Sequence, residues 1–230
     1  MRGPSLGDVG EPAFVTTTRA GYDAIAQGYA DAFRDPLANA PLDRGLLAGF
    51  AELVRRDHRD PRVLEVGSGP GDIAAHLHDL GLAVRGVDLS PKMVDLARRA
   101  YPHLSFEIGE MSALEVPDAS LAAVVSWYSL IHIAAPARPA VVAELRRVLR
   151  PGGYLLLAFQ VGDDTLHFDQ AFGHAVDLDF HRLAPDAVEA LTESAGLTTV
   201  ARLVRAPEQQ GPAAAVPQGF VLAQLPRADP

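Results

Sequence analysis

Two acids bracket a glycine-rich turn in this chain. Glu65 stands just ahead of Gly67-Ser68-Gly69-Pro70-Gly71, and Asp88 closes the next apolar run. Glycines at alternate positions let the backbone turn tightly and let a ligand approach the main chain, because no Cβ intervenes. The backbone N–H groups of such a turn, with a helix starting behind it, favour an anionic group. An acid at the end of the following strand can accept both hydroxyl hydrogens of a ribose. Glu65 is a charge inside an apolar run and is costly to bury alone, a cost that a cationic ligand group would relieve. The pattern describes a nucleoside-binding half-site. Its alternatives are a ligand-free turn, a structural hydrogen bond for Glu65, and a helix-capping role for Asp88. The last is the weaker because Ser90-Pro91 already starts the next helix.

A second set of reactive residue types is Ser126-Trp127-Tyr128-Ser129-Leu130-Ile131-His132. The lone Trp, a Tyr and a His at the end of one apolar run are hard to explain by packing alone. Trp127 or Tyr128 could wall a cation with a ring face. His132 and Tyr128 are the catalytic candidates, His132 as a general base because its ordinary pKa lies near neutrality. A capped, hydrogen-bonded histidine is the alternative for His132. Met111, within Gly109-Glu110-Met111-Ser112, is polarizable enough to lie on an adenine face. Tyr22 and Tyr29, seven apart on a helical pattern, share a face and suit either a ligand seal or core packing. His167, Asp169, His174, Asp177, Asp179 and His181 crowd a later stretch. Their spacing lacks paired histidines four apart beside a glutamate, so no metal is expected.

These residues need elements to hold them. From Arg62 the chain alternates short apolar runs with helical patterns, as parallel βαβ units do. Strands are expected near 62–67, 82–88, 104–108, 120–127 and 153–160, and helices near 71–80, 91–100 and 137–149. Pro151-Gly152-Gly153 reads as a break before the fifth strand. An irregular stretch at 163–184 precedes a helix near 185–195 and strands near 197–205 and 218–225. Upstream, Tyr22, Ile25, Ala26, Tyr29, Ala32 and Phe33 recur at helical intervals, and a second helix is expected over Leu42 to Arg56. Both lie outside a minimal nucleoside-binding sheet and suit a lid. The expected organisation is a flexible arm at 1–15, a helical lid at 16–58, and one α/β domain at 59–230.

The bulk composition narrows the class. A chain of 230 residues, 48% hydrophobic and 21% charged, suits one soluble α/β domain. A formal net charge of −9 disfavours general binding to nucleic acid. Without cysteine there is neither a disulfide framework nor a thiolate metal site. No stretch reads as a membrane span and the first residues carry no export pattern, so a cytoplasmic location is expected.

Gly-x-Gly-x-Gly replaces the Gly-x-Gly-x-x-Gly of dinucleotide enzymes, and Glu65 precedes it. Over this run and Val84–Ser90 the chain resembles the class I S-adenosylmethionine-dependent methyltransferases, strongly across roughly 60–162 and loosely at both ends. The resemblance implies a Rossmann-like, seven-stranded, mostly parallel sheet with helices on both faces and a reversed C-terminal hairpin. It implies S-adenosylmethionine as cofactor, S-adenosylhomocysteine as product, and no metal. By the family's pattern Glu65 faces the ammonium and Gly67, Ser68, Gly69 and Gly71 the carboxylate and ribose side. Asp88 takes the ribose, Leu89 and Met93 lie near the adenine, and Glu110, where the family more often has Asp, takes the adenine amino group with Met111 on the ring. Tyr22, Tyr29, Ser126 and Trp127 complete the implied cofactor set. The loop after the fourth strand lies beside the transferable methyl group, and the 163–184 insertion shapes the acceptor pocket. Trp127, Tyr128, His132, His167, His174 and His181 are then the acceptor-side candidates.

The expected activity is methyl transfer to a small molecule, through an oxygen of a natural product or secondary metabolite, by a monomer or homodimer. Nitrogen or carbon acceptors, and a non-methylating protein that keeps the cofactor pocket, stand as alternatives. The glycine spacing and the Pro151-Gly152-Gly153 break argue against a nucleotide-dependent oxidoreductase. Ser126-Trp127-Tyr128-Ser129 stands where a nucleic-acid methyltransferase would carry an Asn/Asp-Pro-Pro-Tyr/Phe motif.

Overall fold

The structure is a computed structural model that describes residues 12–207 and 216–227. Most of the expected arm, residues 1–11, lies outside them. The chain forms α1 (Ala13–Ala32), α2 (Pro41–Asp57), β1 (Arg62–Val66), α3 (Asp72–Asp79), β2 (Ala83–Asp88), α4 (Pro91–Ala100) and β3 (Ser105–Ile108). There follow β4 (Leu121–Trp127), α5 (Arg138–Val148), β5 (Leu149–Gln160), β6 (Thr165–Ala171), β7 (His174–His181), α6 (Pro185–Ser194), β8 (Thr198–Arg205) and β9 (Gln218–Gln224).

Strands covered on both faces read as continuous apolar runs, and β1, β4 and β9 do so. Seven strands form one sheet in the order β3-β2-β1-β4-β5-β9-β8, with β9 antiparallel to both β5 and β8. The C-terminal hairpin is reversed, as the resemblance implied. Alternating side chains divide the core between two faces. One cluster joins Leu64, Leu155 and Val221 to Val141 and Leu145 of α5. The other joins Val63 and Leu156 to Leu47 and Phe50 of α2 and Val94 of α4. Strand order reverses between β1 and β4, and β1 pairs in parallel register with β2 on one side and β4 on the other. Ligands of open α/β sheets bind at such a switch point, beyond the strands' carboxyl ends.

Three expectations change. Residues 163–184 are largely regular: β6 and β7 pair antiparallel, with Leu166 opposite Phe180 and Phe168 opposite Leu178. The alternation that drives this was present, but charged residues between the apolar ones obscured it. Helix α1 begins at Ala13, inside the expected arm, because Val15 is buried and Phe14 packs against the core. Strand β5 begins at Leu149, ahead of the expected break, and Gly152 with φ +79° lets it absorb a register shift.

Candidate active site

Gly67 leaves β1 with φ +69°, and a Cβ there would lie 2.3 Å from the Cβ of Ser129. Only glycine fits that approach. Gly69 also has positive φ, but no atom stands within 4 Å of where its Cβ would be. Its N–H donates to Asp88 Oδ2 at 2.7 Å, while Ser90 N–H donates to Asp88 Oδ1 at 2.8 Å. The turn therefore locks the end of β2 to the end of β1 and leaves open space beside Gly69. That space belongs to a cavity of about 600 Å³ over the carboxyl edge of the sheet, a size typical of small-molecule sites.

The cavity is acidic where β1 and β2 end. Glu65 is 1% exposed, and its Oε2 has no hydrogen-bond partner among the described residues. Burial, reinforced by the charge of Asp88, raises its pKa well above the usual carboxylate range. Burial pushes Asp88 up to about 6, against the lowering effect of the Ser90 and Gly69 N–H bonds. Asp72, at the start of α3, is also raised by burial, and Tyr101 donates to it at 2.8 Å. A buried acid oxygen without a partner beside an open glycine cradle fits a ligand that carries an ammonium and a ribose.

Helix α1 crosses above this edge. The Tyr22 hydroxyl lies 2.7 Å from His132 Nε2, and His132 Nδ1 lies 3.0 Å from the Asp179 carbonyl of β7. A carbonyl only accepts, so Nδ1 carries the proton and Nε2 accepts from the Tyr22 O–H. His132 is buried, which pushes its pKa down to about 4. Tyr22 is held well above its ordinary value by burial, and Tyr29 is pushed up to about 12 for the same reason. Phe180 meets the His132 ring edge-to-face at 4.6 Å. The residue next to Tyr22 fixes the helix from the other side: Asp23 Oδ1 accepts from Ser90 Oγ at 2.5 Å and from Lys92 N–H at 3.1 Å. Ser90 in turn caps α4 by accepting from Met93 N–H at 3.1 Å. Asp23→Ala is expected to destabilise the fold by about 1–2 kcal/mol, the worth of a lost cap and hydrogen bond. Denaturant unfolding checks this, and an unchanged midpoint would remove Asp23 from the attachment of α1 to α4.

Most of the residues singled out from sequence line this one cavity. Glu65, Gly67, Ser68, Gly69, Asp88, Leu89 and Met93 form the β1–β2 side. Glu110 and Met111 stand at the end of β3, and Tyr22 and Tyr29 hang from α1. Trp127, Tyr128 and His132 come from the segment after β4. Tyr128 has φ +56°, a left-handed conformation that non-glycine residues adopt at a cost, often at functional sites.

Five residues do not reach the cavity. Gly71 caps α3 and packs against Phe106. Ser126 is spent inside the fold: its Oγ pairs with Ser129 Oγ at 2.7 Å, and Ser129 donates to the Val66 carbonyl at 2.6 Å. His167 and His174 are exposed, and His167 pairs with Asp179 at 2.9 Å. His181 pairs with Thr165 at 2.7 Å. These three alternate with the apolar residues of the hairpin, so Phe180 and the Asp179 carbonyl reach the site in their place. Phe180, Asp72 and Asp23 were not singled out from sequence. Only Phe180 left a signal, the period-two pattern around it. Among the described residues no group of three or more His, Asp and Glu converges as a metal site, and no helix is long and apolar enough to cross a membrane.

Comparison with known proteins matches this architecture to named relatives. Residues 63–153 match a family described as a methyltransferase domain. A demethylmenaquinone methyltransferase of Beutenbergia cavernae is 31% identical over 192 residues, covering 76% of this chain and 78% of that protein. The chain belongs to the class I S-adenosylmethionine-dependent methyltransferase family. A demethylmenaquinone methyltransferase of Chlorobaculum parvum is 31% identical over 136 residues, 57% of this chain and 55% of that one. The chain thus spans about half the length of that curated relative. The 1,6-didemethyltoxoflavin-N1-methyltransferase of Burkholderia thailandensis, solved with bound 1,6-didemethyltoxoflavin and S-adenosylhomocysteine, superposes with a TM-score of 0.68. It is 18% identical and covers 97% of this chain and 94% of its own, a likeness of fold.

Proposed function

We propose that this chain moves a methyl group from S-adenosylmethionine to an oxygen of a small-molecule acceptor, a natural product or secondary metabolite. The reading is of a cytoplasmic enzyme acting as a monomer or homodimer. The observation that carries the cofactor assignment is the partnerless buried oxygen of Glu65 beside the open Gly69 cradle and Asp88. Glu65 would hold the ammonium, the turn and the start of α3 the carboxylate, and Asp88 the ribose. Glu110 and Met111 would hold the adenine. When bound, the cofactor supplies a methyl group on a sulfonium, activated enough for a one-step displacement.

What the protein adds is alignment, exclusion of water and a path for one proton. The Tyr22–His132 pair is the observation that favours an oxygen acceptor. The acceptor hydroxyl passes its proton to Tyr22 Oη as Tyr22 passes its own to His132 Nε2, and the acceptor oxygen attacks with its electron pair. A base as weak as His132 suffices, because a hydroxyl oxygen becomes strongly acidic as it bonds to carbon. Tyr22, with its pKa raised, acts as a conduit rather than a tyrosinate.

Calorimetric titration with S-adenosylhomocysteine, then labelled methyl transfer to phenols and to their methyl ethers, tests the reading. One-to-one binding and label on the phenols alone are expected. Absence of binding would sink the cofactor claim, and label appearing only on amines would sink the oxygen claim. The same titration has an expected pH dependence. The ligand favours ionised Glu65 and Asp88, so binding releases protons and affinity rises with pH through about 6 before levelling off. Asp88 alone gives about a fourfold loss between pH 7.5 and 5.5, and Glu65 adds to it. An affinity that rises on acidification would contradict this.

A further inference from the structure

The cavity has a second lobe on the far side of β4 from the acidic edge. Strands β5, β9 and β8 place Gln160, Gln218 and Arg205 directly opposite one another in a single row. Directly opposite residues present their side chains on the same face. Asp43, in the first turn of α2, meets this row. Arg205 Nε stands 3.0 Å from Asp43 Oδ1, off the hydrogen-bond line, and Nη2 donates to Oδ2 at 3.4 Å. All four residues line the cavity, and Asp43, Gln160 and Gln218 are only 5%, 8% and 5% exposed.

Trp127 is opposite Ala158, which shares a face with Gln160, so its ring walls the lobe beside Phe220 at 5.4 Å. Phe33, Pro36 and Leu37, from the connection between α1 and α2, also line the cavity. Nearly buried amides need partners. Gln218 has one, since its Nε2 donates to the Val216 carbonyl at 2.8 Å. The carboxamide of Gln160 has none among the described residues.

We propose that this lobe recognises the acceptor through an uncharged carbonyl or amide group on a flat ring system. This rests on the methyl-transfer reading for the premise that the acceptor enters here. Arg205 and Asp43 cancel in formal charge, so a carboxylate or ammonium brought into the lobe would lose its hydration without a matching counter-charge from this row of described residues. The Gln160 amide offers a donor beside an acceptor, which a lactam edge matches as a pair. The walls of Trp127, Phe33, Pro36 and Leu37 suit the faces of a ring.

The test uses the full chain saturated with S-adenosylhomocysteine and titrated calorimetrically with two probes. 2-Quinolone is a neutral lactam on a flat bicycle, and quinoline-2-carboxylate carries a charge on a similar ring. The lactam is expected to bind at least about tenfold more tightly, and Gln160→Leu to remove about tenfold of its affinity. Gln160→Lys is expected to move the preference toward the carboxylate. The inference is overturned if the wild type binds the carboxylate as tightly as the lactam, if it binds neither, or if Gln160→Leu binds the lactam undiminished. The wild-type comparison needs no variant to fold. Failure of S-adenosylhomocysteine itself to bind defeats the methyl-transfer reading, whereas intact binding with the wrong probe preference defeats this inference alone.

Discussion

Asp88→Ala is expected to weaken S-adenosylhomocysteine binding by about a hundredfold or more. Two ribose hydroxyls donating to an ionised carboxylate contribute about 1.5–3 kcal/mol each, and about 3 kcal/mol in total already exceeds a hundredfold. The substitution also orphans the N–H groups of Gly69 and Ser90, both of which now donate to Asp88. The glycine turn then loses its tie to β2, and the free protein should lose about 1–3 kcal/mol of stability. Asp88→Asn keeps one acceptor and the side-chain shape, so its expected loss of affinity is nearer tenfold. Glu65→Gln should behave oppositely in the two assays. It removes a buried acid whose oxygen has no partner, so the free protein should melt no lower, while affinity falls about tenfold with the loss of the counter-charge to the ammonium. Calorimetry and thermal unfolding on the same samples separate these cases. Affinity undiminished in Asp88→Ala would reject the assignment of the turn.

The contrast between the two acids and the α1 residues shows why some of the site could be read along the chain. Glu65, the glycines and Asp88 act through local constraints: a charge in an apolar run, a turn that excludes Cβ, a strand end. Each leaves a mark in a few consecutive residues. Ser90-Pro91 is equally local, and α4 starts there with the Ser90 cap. The pairing of Tyr22 with His132 joins residues 110 apart, and no periodicity announces it. The tautomer of His132 is set by a backbone carbonyl of β7, which any residue at 179 would supply. Ser126 shows the opposite failure. It stands in the loop that carries Trp127 and Tyr128, yet its hydroxyl is consumed in stapling that loop to the end of β1. The row of Gln160, Gln218 and Arg205 depends on the register of a reversed hairpin, which only the assembled sheet defines.

The distance between Tyr22 and His132 in sequence makes their coupling a sharp test of the proton path. Tyr22→Phe keeps the ring and removes only the hydroxyl that bonds His132, so affinity for S-adenosylhomocysteine should stay within about threefold. Turnover should fall by about a hundredfold to a thousandfold, the usual worth of a positioned acid–base group. His132→Gln leaves a side chain that can accept a hydrogen bond from Tyr22 but cannot take its proton. Its expected loss in kcat is of the same size. If the two residues form one relay, the double variant should be no slower than the worse single one, because either change already breaks the path. Independent contributions would instead multiply. Burial holds His132 near 4, so kcat should also be flat between pH 6 and 9, with no inflection near the ordinary histidine value of about 6.5. Full turnover in His132→Gln, or losses that multiply, would show that the proton leaves by another route.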